Sequence, residues 1–163
     1  MSSILIIGGN SDIGYATSKV FAQNRYSIHL ASRDTTNLEI KKKEIESFYN
    51  VDCKISSLDI ENKENINHFF KENSESPNII LIAVGLLGTE STNNDQISNV
   101  NYLFPVTFIE RSIIEYKAQQ KLGTIIGISS VAGDKGRKNS NVYSSSKLAF
   151  SSYLDDLRKK LNA

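Results

Sequence analysis

The sequence predicts an α/β fold, a doubly wound parallel sheet in three α/β/α layers. Three observations carry this. Short apolar runs at 3–7, 78–84 and 124–128 are what strands buried on both faces look like. Stretches of helical length separate the strand-like runs, which is the alternation of βαβ units. The first run ends in a glycine-rich loop, Gly8-Gly9-Asn10-Ser11-Asp12-Ile13-Gly14, that opens into a helical pattern.

Composition sets the outer bounds. With 163 residues the chain is expected to form one domain, 1–163, and to bury a real core. A net charge of +1 gives no broad field for nucleic acid or a membrane surface. Cys53 is the only cysteine, so an internal disulfide and a cysteine metal cluster are excluded, and a reducing cytoplasm is expected. The apolar run 4–7 is too short for a signal peptide or a membrane span. His29 and His68 have no partner motif, so structural roles and no metal are expected.

Residues 3–7 form the first strand, stopped by Gly8, and the helical pattern that follows runs to Asn24 with Ile13, Ala16, Val20 and Phe21 as its apolar face. This strand, loop and helix suit a dinucleotide pyrophosphate. Gly8 permits a tight turn, Gly14 lets helix and strand pack closely, and the first helical amides meet the phosphates. Such turns also occur without a ligand. Asp12 is expected to cap the helix with its carboxylate.

Residues 27–31 read as the second strand and lead into Ser32-Arg33-Asp34. An arginine fork there can pair with a 2′-phosphate, or be a plain surface arginine. Residues 37–50 form an exposed helix, on which Lys41 to Lys43 with Glu44 and Glu46 make a solvated face. Residues 51–58 alternate apolar and polar, a third strand near a sheet edge that ends at Asp59-Ile60. Residues 62–73 are a short helix. Residues 78–84 are the fourth strand, closed by Gly85, and 85–94 a polar loop. A long helix is expected over 95–120, bent or broken at Pro105. Residues 124–130 are the fifth strand, 133–141 a loop and 142–161 the last helix.

The chemistry gathers at the end of the chain. Tyr143 and Lys147 are four residues apart and share one helix face. Ser130 lies thirteen residues before Tyr143, at the tip of the fifth strand. A strand tip with a serine and a following helix with tyrosine and lysine can converge into a proton-transfer site. A free phenol titrates near about 10. A nearby ammonium favours the phenolate and lowers that value toward working pH.

Tyr143-Ser144-Ser145-Ser146-Lys147, with Ser130 in Ile128-Ser129-Ser130-Val131-Ala132-Gly133 upstream, resembles the short-chain dehydrogenase/reductases. The resemblance implies a Rossmann-like sheet in the order 3-2-1-4-5 and an oxidoreductase acting between a nicotinamide and a ketone or secondary alcohol. Tyr143 is then the acid/base, Lys147 binds the nicotinamide ribose and lowers the phenol pKa, Ser130 orients the carbonyl oxygen, and Asn101 holds a water of the proton relay from a kinked helix. Gly8, Asn10, Ser11, Asp12, Ile13 and Gly14 surround the pyrophosphate. Ser32 falls where NAD-using members carry an acid, and Arg33 follows it, so NADP is expected with NAD as runner-up. A one-residue slip would make Asp34 a ribose acceptor. Asp59 and Ile60 meet the adenine.

The chain departs from the family in three places. Asp12 stands where the ordinary branch has a third glycine. Ile82-Ala83-Val84-Gly85 replaces Asn-Asn-Ala-Gly, keeping only the glycine and losing the amide bracing. Members usually continue past Ala163 with further strands and a substrate lid, so the fifth strand is expected as an open apolar edge. A cytoplasmic homodimer or homotetramer with a small carbonyl or alcohol substrate, and neither nucleic acid nor membrane as partner, follows from the resemblance. Some of Leu148, Phe150, Leu154 and Leu157 fit the helical dimer contact of relatives. Two other readings stay open: a catalytically inactive nucleotide-binding remnant or regulatory subunit, and a sugar-nucleotide epimerase or dehydratase.

Overall fold

The computed structural model describes residues 2–89, 91–135 and 141–161. Five strands, β1 (Ser3–Ile7), β2 (Ser27–Ser32), β3 (Cys53–Ser57), β4 (Ile79–Ile82) and β5 (Thr124–Gly127), form one sheet in the order β3-β2-β1-β4-β5. Every pairing is parallel, with Ile7 opposite Ala31 on one side and Ile82 on the other. The expected order and strand count hold.

The sheet is two-faced, which explains why β1 is apolar without a break. Leu5 and Ile7 point into a core with Phe69 of α3 (Lys63–Glu72), Phe108 of α5 (Phe104–Ala118) and Phe150 of α7 (Asn141–Leu161). Ile4 and Ile6 point the other way, onto Ala22 of α1 (Asp12–Gln23) and Leu38 and Ile45 of α2 (Thr35–Tyr49). Ile4, Ile6 and Ile7 have no exposed surface. Each contributes roughly 1.5–3 kcal/mol by burial.

The face of α1 is not the expected one. Ile13 and Val20 are 54% and 56% exposed, and Ala16 is exposed too. The buried positions are Gly14, Ser18 and Ala22, spaced four apart. The small residues lie against the sheet, Ile13 and Val20 are turned out, and Phe21 alone of the expected face packs at the margin of the core. Ser18 satisfies its hydroxyl locally by donating to the Tyr15 carbonyl at 2.7 Å.

Two other expectations are corrected. The long helix over 95–120 is α4 (Asn94–Ser98), a π-turn (Asn99–Leu103) and α5. Pro105 sits directly after the π-turn, in a helical run where Leu103 and Phe104 already have helical backbone, so the departure from regular helix adjoins the proline as expected. The 133–141 loop begins instead as a short helix, α6 (Val131–Lys135), and 136–140 lie outside the described residues. Of Leu148, Phe150, Leu154 and Leu157, Phe150 is core, Leu154 and Leu157 pack against it, and Leu148 is half exposed, as is Leu161 at the end of α7.

His29 has a structural place. Its Nε2 is 2.8 Å from Ser56 Oγ and its ring stacks on Phe69, and burial pulls its pKa down to about 4. His68 pairs with Glu72 on the surface of α3 at 3.1 Å. Among the described residues no helix is long and apolar enough to cross a membrane. Beyond β5 lies an open groove of ≈740 Å³, walled by Ile113, Leu122, Ile126, Leu154 and Leu157, in keeping with the apolar edge expected there.

Candidate active site

β1 and β4 are neighbours, and the loops that follow them diverge over the C-terminal edge of the sheet. In parallel α/β sheets this is where ligands bind. A cleft of ≈310 Å³ opens here, lined by Gly8, Ser11, Ser32, Arg33, Leu58, Ile60, Glu61, Ala83, Val84, Gly85, Leu86, Gln96 and Val100, among others. The groove beyond β5 is larger but lies away from both loops. The candidate site is therefore the smaller cleft, which residues of both loops line together with Ser32, Arg33 and Glu61.

The loop after β1 is held from several sides. Gly8 has φ +89°, and a Cβ on it would come within 2.5 Å of the Ala83 carbonyl oxygen. The amides of Gly8 and Gly9 both donate to the Ala31 carbonyl, at 2.9 and 3.1 Å. Ser11 donates its amide and its hydroxyl to the Gly8 carbonyl, and its Oγ accepts from the Gly14 amide at 3.0 Å. Ser11, not Asp12, therefore caps α1. Its extended backbone (φ −70°, ψ 152°) is the cap conformation, whereas Asp12 is already helical and exposed. The close approach at Gly14 is to the loop itself: a Cβ there would be 2.4 Å from the Gly8 carbonyl oxygen.

Asn10 ties this loop to the end of β2, donating from Nδ2 to Ser32 Oγ at 3.1 Å and to the Asp34 carbonyl at 2.7 Å. Lys41 is not part of a solvated face. Its ammonium donates to the Gly9 and Asn10 carbonyls at 3.3 and 2.9 Å. Hence the carbonyls on the far side of the loop are satisfied.

The end of β2 carries Ser32 and Arg33 into the cleft wall. Asp34 caps α2, its carboxylate accepting from the Asn37 amide at 3.2 Å. Asp59 turns its carboxylate onto the Glu61 amide at 3.0 Å, while Leu58 and Ile60 face the cleft. Ile13 stands exposed on the first turn of α1.

Lys147, Gly85 and Asn101 lie together at the far end. Lys147 is 2% exposed, and its Nζ donates to the carbonyls of Val84 and Ile128, each at 3.1 Å. Burial pulls its pKa down to about 8. A Cβ on Gly85 would lie 3.7 Å from that nitrogen and 3.5 Å from Asn101 Oδ1. Gly85 is thus the joint between cleft and lysine. The segment after β5 is stitched to α7: Ser129 Oγ donates to the Lys147 carbonyl at 3.1 Å and lies 2.6 Å from Ser151 Oγ. Ser130 Oγ accepts from the Ala132 amide at 3.2 Å, starting α6. Gly133 lets α6 rest on α7, since a Cβ there would lie 2.8 Å from the Leu148 amide nitrogen. Tyr143 is half-buried, one helical turn before Lys147.

Asn101 is fully buried in the π-turn. Its Nδ2 donates to the Leu86 and Ile97 carbonyls at 2.7 and 2.8 Å, and its Oδ1 accepts from the Leu86 amide at 3.1 Å. One amide side chain thus braces the strand-four loop, where the sequence shows no amide of its own. Sequence reasoning missed Lys41, Ser129 and Glu61, because each acts through a neighbour distant in the chain.

A family model described as short chain dehydrogenase matches residues 2–163. A Caenorhabditis elegans protein carrying the name steroid dehydrogenase 3 is 32% identical over 157 residues, which cover 88% of this chain and 50% of that protein. The NADP-dependent 3-hydroxy acid dehydrogenase of Schizosaccharomyces pombe is 28% identical over 173 residues, 97% of this chain and 65% of that protein. The chain therefore spans half to two thirds of the length of these curated relatives. Among solved structures, the bulky-bulky ketone specific alcohol dehydrogenase from Comamonas testosteroni superposes with a TM-score of 0.90 at 18% identity, covering 99% of this chain and 68% of that one. At that identity the likeness is one of fold.

Proposed function

The chain belongs to the short-chain dehydrogenase family, and from that premise we propose that it is an NADP-dependent oxidoreductase interconverting a small ketone and a secondary alcohol. The observation that carries this reading is Lys147: a buried ammonium, anchored on Val84 and Ile128, at the joint of the cleft and one turn from Tyr143.

The cleft suits a dinucleotide. Gly8, at φ +89°, makes the tight turn out of β1, and the first turn of α1 follows it with amides free of helical partners. Gly8, Asn10, Ser11, Asp12, Ile13 and Gly14 would surround the pyrophosphate. Ser32 and Arg33 would hold the adenosine ribose, with the guanidinium on a 2′-phosphate. Asp59 and Ile60 would flank the adenine, and Ala83, Val84 and Gly85 the path toward the nicotinamide. The bound nucleotide supplies or accepts the hydride.

The rest is proton chemistry by the chain. In the reductive direction Tyr143 gives its hydroxyl proton to the carbonyl oxygen and is reprotonated from solvent. Lys147, still an ammonium at neutral pH, favours the phenolate so formed and offers a donor to a ribose hydroxyl. Ser130 donates to the same carbonyl oxygen, and Asn101 holds Leu86 while supporting the proton path. NADP rather than NAD is supported by Arg33 and by the relative named for NADP.

Tyr143→Phe tests the reading. NADPH-dependent turnover of a responsive ketone should fall about a hundred- to ten-thousandfold, the contribution of general acid catalysis, with NADPH affinity unchanged within about threefold. Undiminished turnover would refute the assignment. Binding without turnover by the native chain would favour a nucleotide-binding subunit.

A further inference from the structure

A polar strap crosses the cleft. Glu61 Oε1 accepts from Gln96 Nε2 at 2.9 Å and lies 3.4 Å from Arg33 Nη1. Arg33 follows β2, Glu61 sits in the β3–α3 connection and Gln96 on α4, and all three line the cleft. Among the described residues Glu61 is the carboxylate within ion-pair distance of Arg33. Asp34 and Asp59, the other acids near this end, are turned onto the amides of Asn37 and Glu61.

We propose that Glu61 is a specificity-determining residue of the nucleotide site, competing with a 2′-phosphate for Arg33 and offering an acceptor to the hydroxyls of an unphosphorylated ribose. The inference rests on the nucleotide reading above. The Arg33 and Glu61 side chains are 64% and 32% exposed, so the pair is weak and a phosphate dianion can displace it. The carboxylate does not leave when displaced, because Gln96 holds it. It then faces the phosphate as a like charge a few ångströms away. An unphosphorylated ribose meets no such repulsion and gains an acid that the sequence lacks at Ser32. Glu61 thereby narrows the preference that Arg33 creates.

The test is titration of NADPH and NADH into the purified native chain, Glu61→Gln and Glu64→Gln, each checked for an unchanged thermal midpoint. Glu64 lies in the exposed first turn of α3, and its variant removes the same charge outside the cleft. Glutamine at 61 can still accept from Gln96. The ratio of NADH to NADPH dissociation constants should rise about five- to tenfold in Glu61→Gln and stay within about twofold in Glu64→Gln. An unchanged ratio in Glu61→Gln, or an equal rise in Glu64→Gln, would overturn the Glu61 assignment and leave the nucleotide reading standing. Failure of the native chain to bind either nucleotide would overturn both.

Discussion

Lys147 donates its ammonium to the Ile128 carbonyl at 3.1 Å, tying α7 to the segment that carries Ser130 two residues later. The Ser129 hydroxyl returns the contact by donating to the Lys147 carbonyl. The lysine is gripped at both ends, so strand tip and helix cannot drift apart independently.

The same burial has a consequence for stability. Folding disfavours the Lys147 ammonium and lowers its pKa from 10.5 to about 8. Between those values the unfolded chain holds more protons, so the folded state gains stability as pH rises; below about 8 the cost is borne in full. The stability of the native chain relative to Lys147→Met should therefore increase from pH 8 to 10.5, by on the order of 3 kcal/mol. Urea unfolding of both proteins across that range measures it. A flat difference would mean that the ammonium is not desolvated.

Asn101 is predicted to be a brace as much as a functional group. Asn101→Ala leaves both backbone groups of Leu86 without their partner in a part-buried place. It should cost about 3 kcal/mol in chemical denaturation. A loss under about 1 kcal/mol would show that the loop finds other partners.

Two glycines of the cleft should behave oppositely. Gly8→Ala forces an L-residue to φ +89° and drives a methyl into the Ala83 carbonyl, so a loss of about 2–4 kcal/mol is expected. Gly85→Ala meets only ordinary contacts at 3.5 Å and beyond, so the fold should change by under about 1 kcal/mol. Thermal unfolding of the two variants separates them, and equal tolerance would contradict the loop geometry.

Much of this was legible in the sequence, for reasons that differ by element. The β1 run is continuous because both faces of the central strand are buried, so its period was unmistakable. The pairing of Tyr143 with Lys147 could be read because helix geometry fixes what four residues mean, whereas the role of Ser130 was reached through the family resemblance. The buried face of α1 could not, because close packing selected Gly14, Ser18 and Ala22 over its larger apolar residues. The π-turn was hidden for a related reason: Pro105 is the visible breaker, but the break is set by the contacts of Asn101 with Leu86 and Ile97. Lys41 looked like one of three solvated lysines, and only the fold brings the Gly9 and Asn10 carbonyls to it.

The most direct test of the account is titration of NADPH and NADH into the native chain and Arg33→Ala, followed by nicotinamide fluorescence. The cleft model predicts saturable binding with NADPH preferred, and a loss of at least about tenfold for NADPH in Arg33→Ala with NADH changed by less than about twofold. Equal weakening of both nucleotides would remove Arg33 from phosphate recognition. No binding of either by the native chain would contradict the nucleotide site itself.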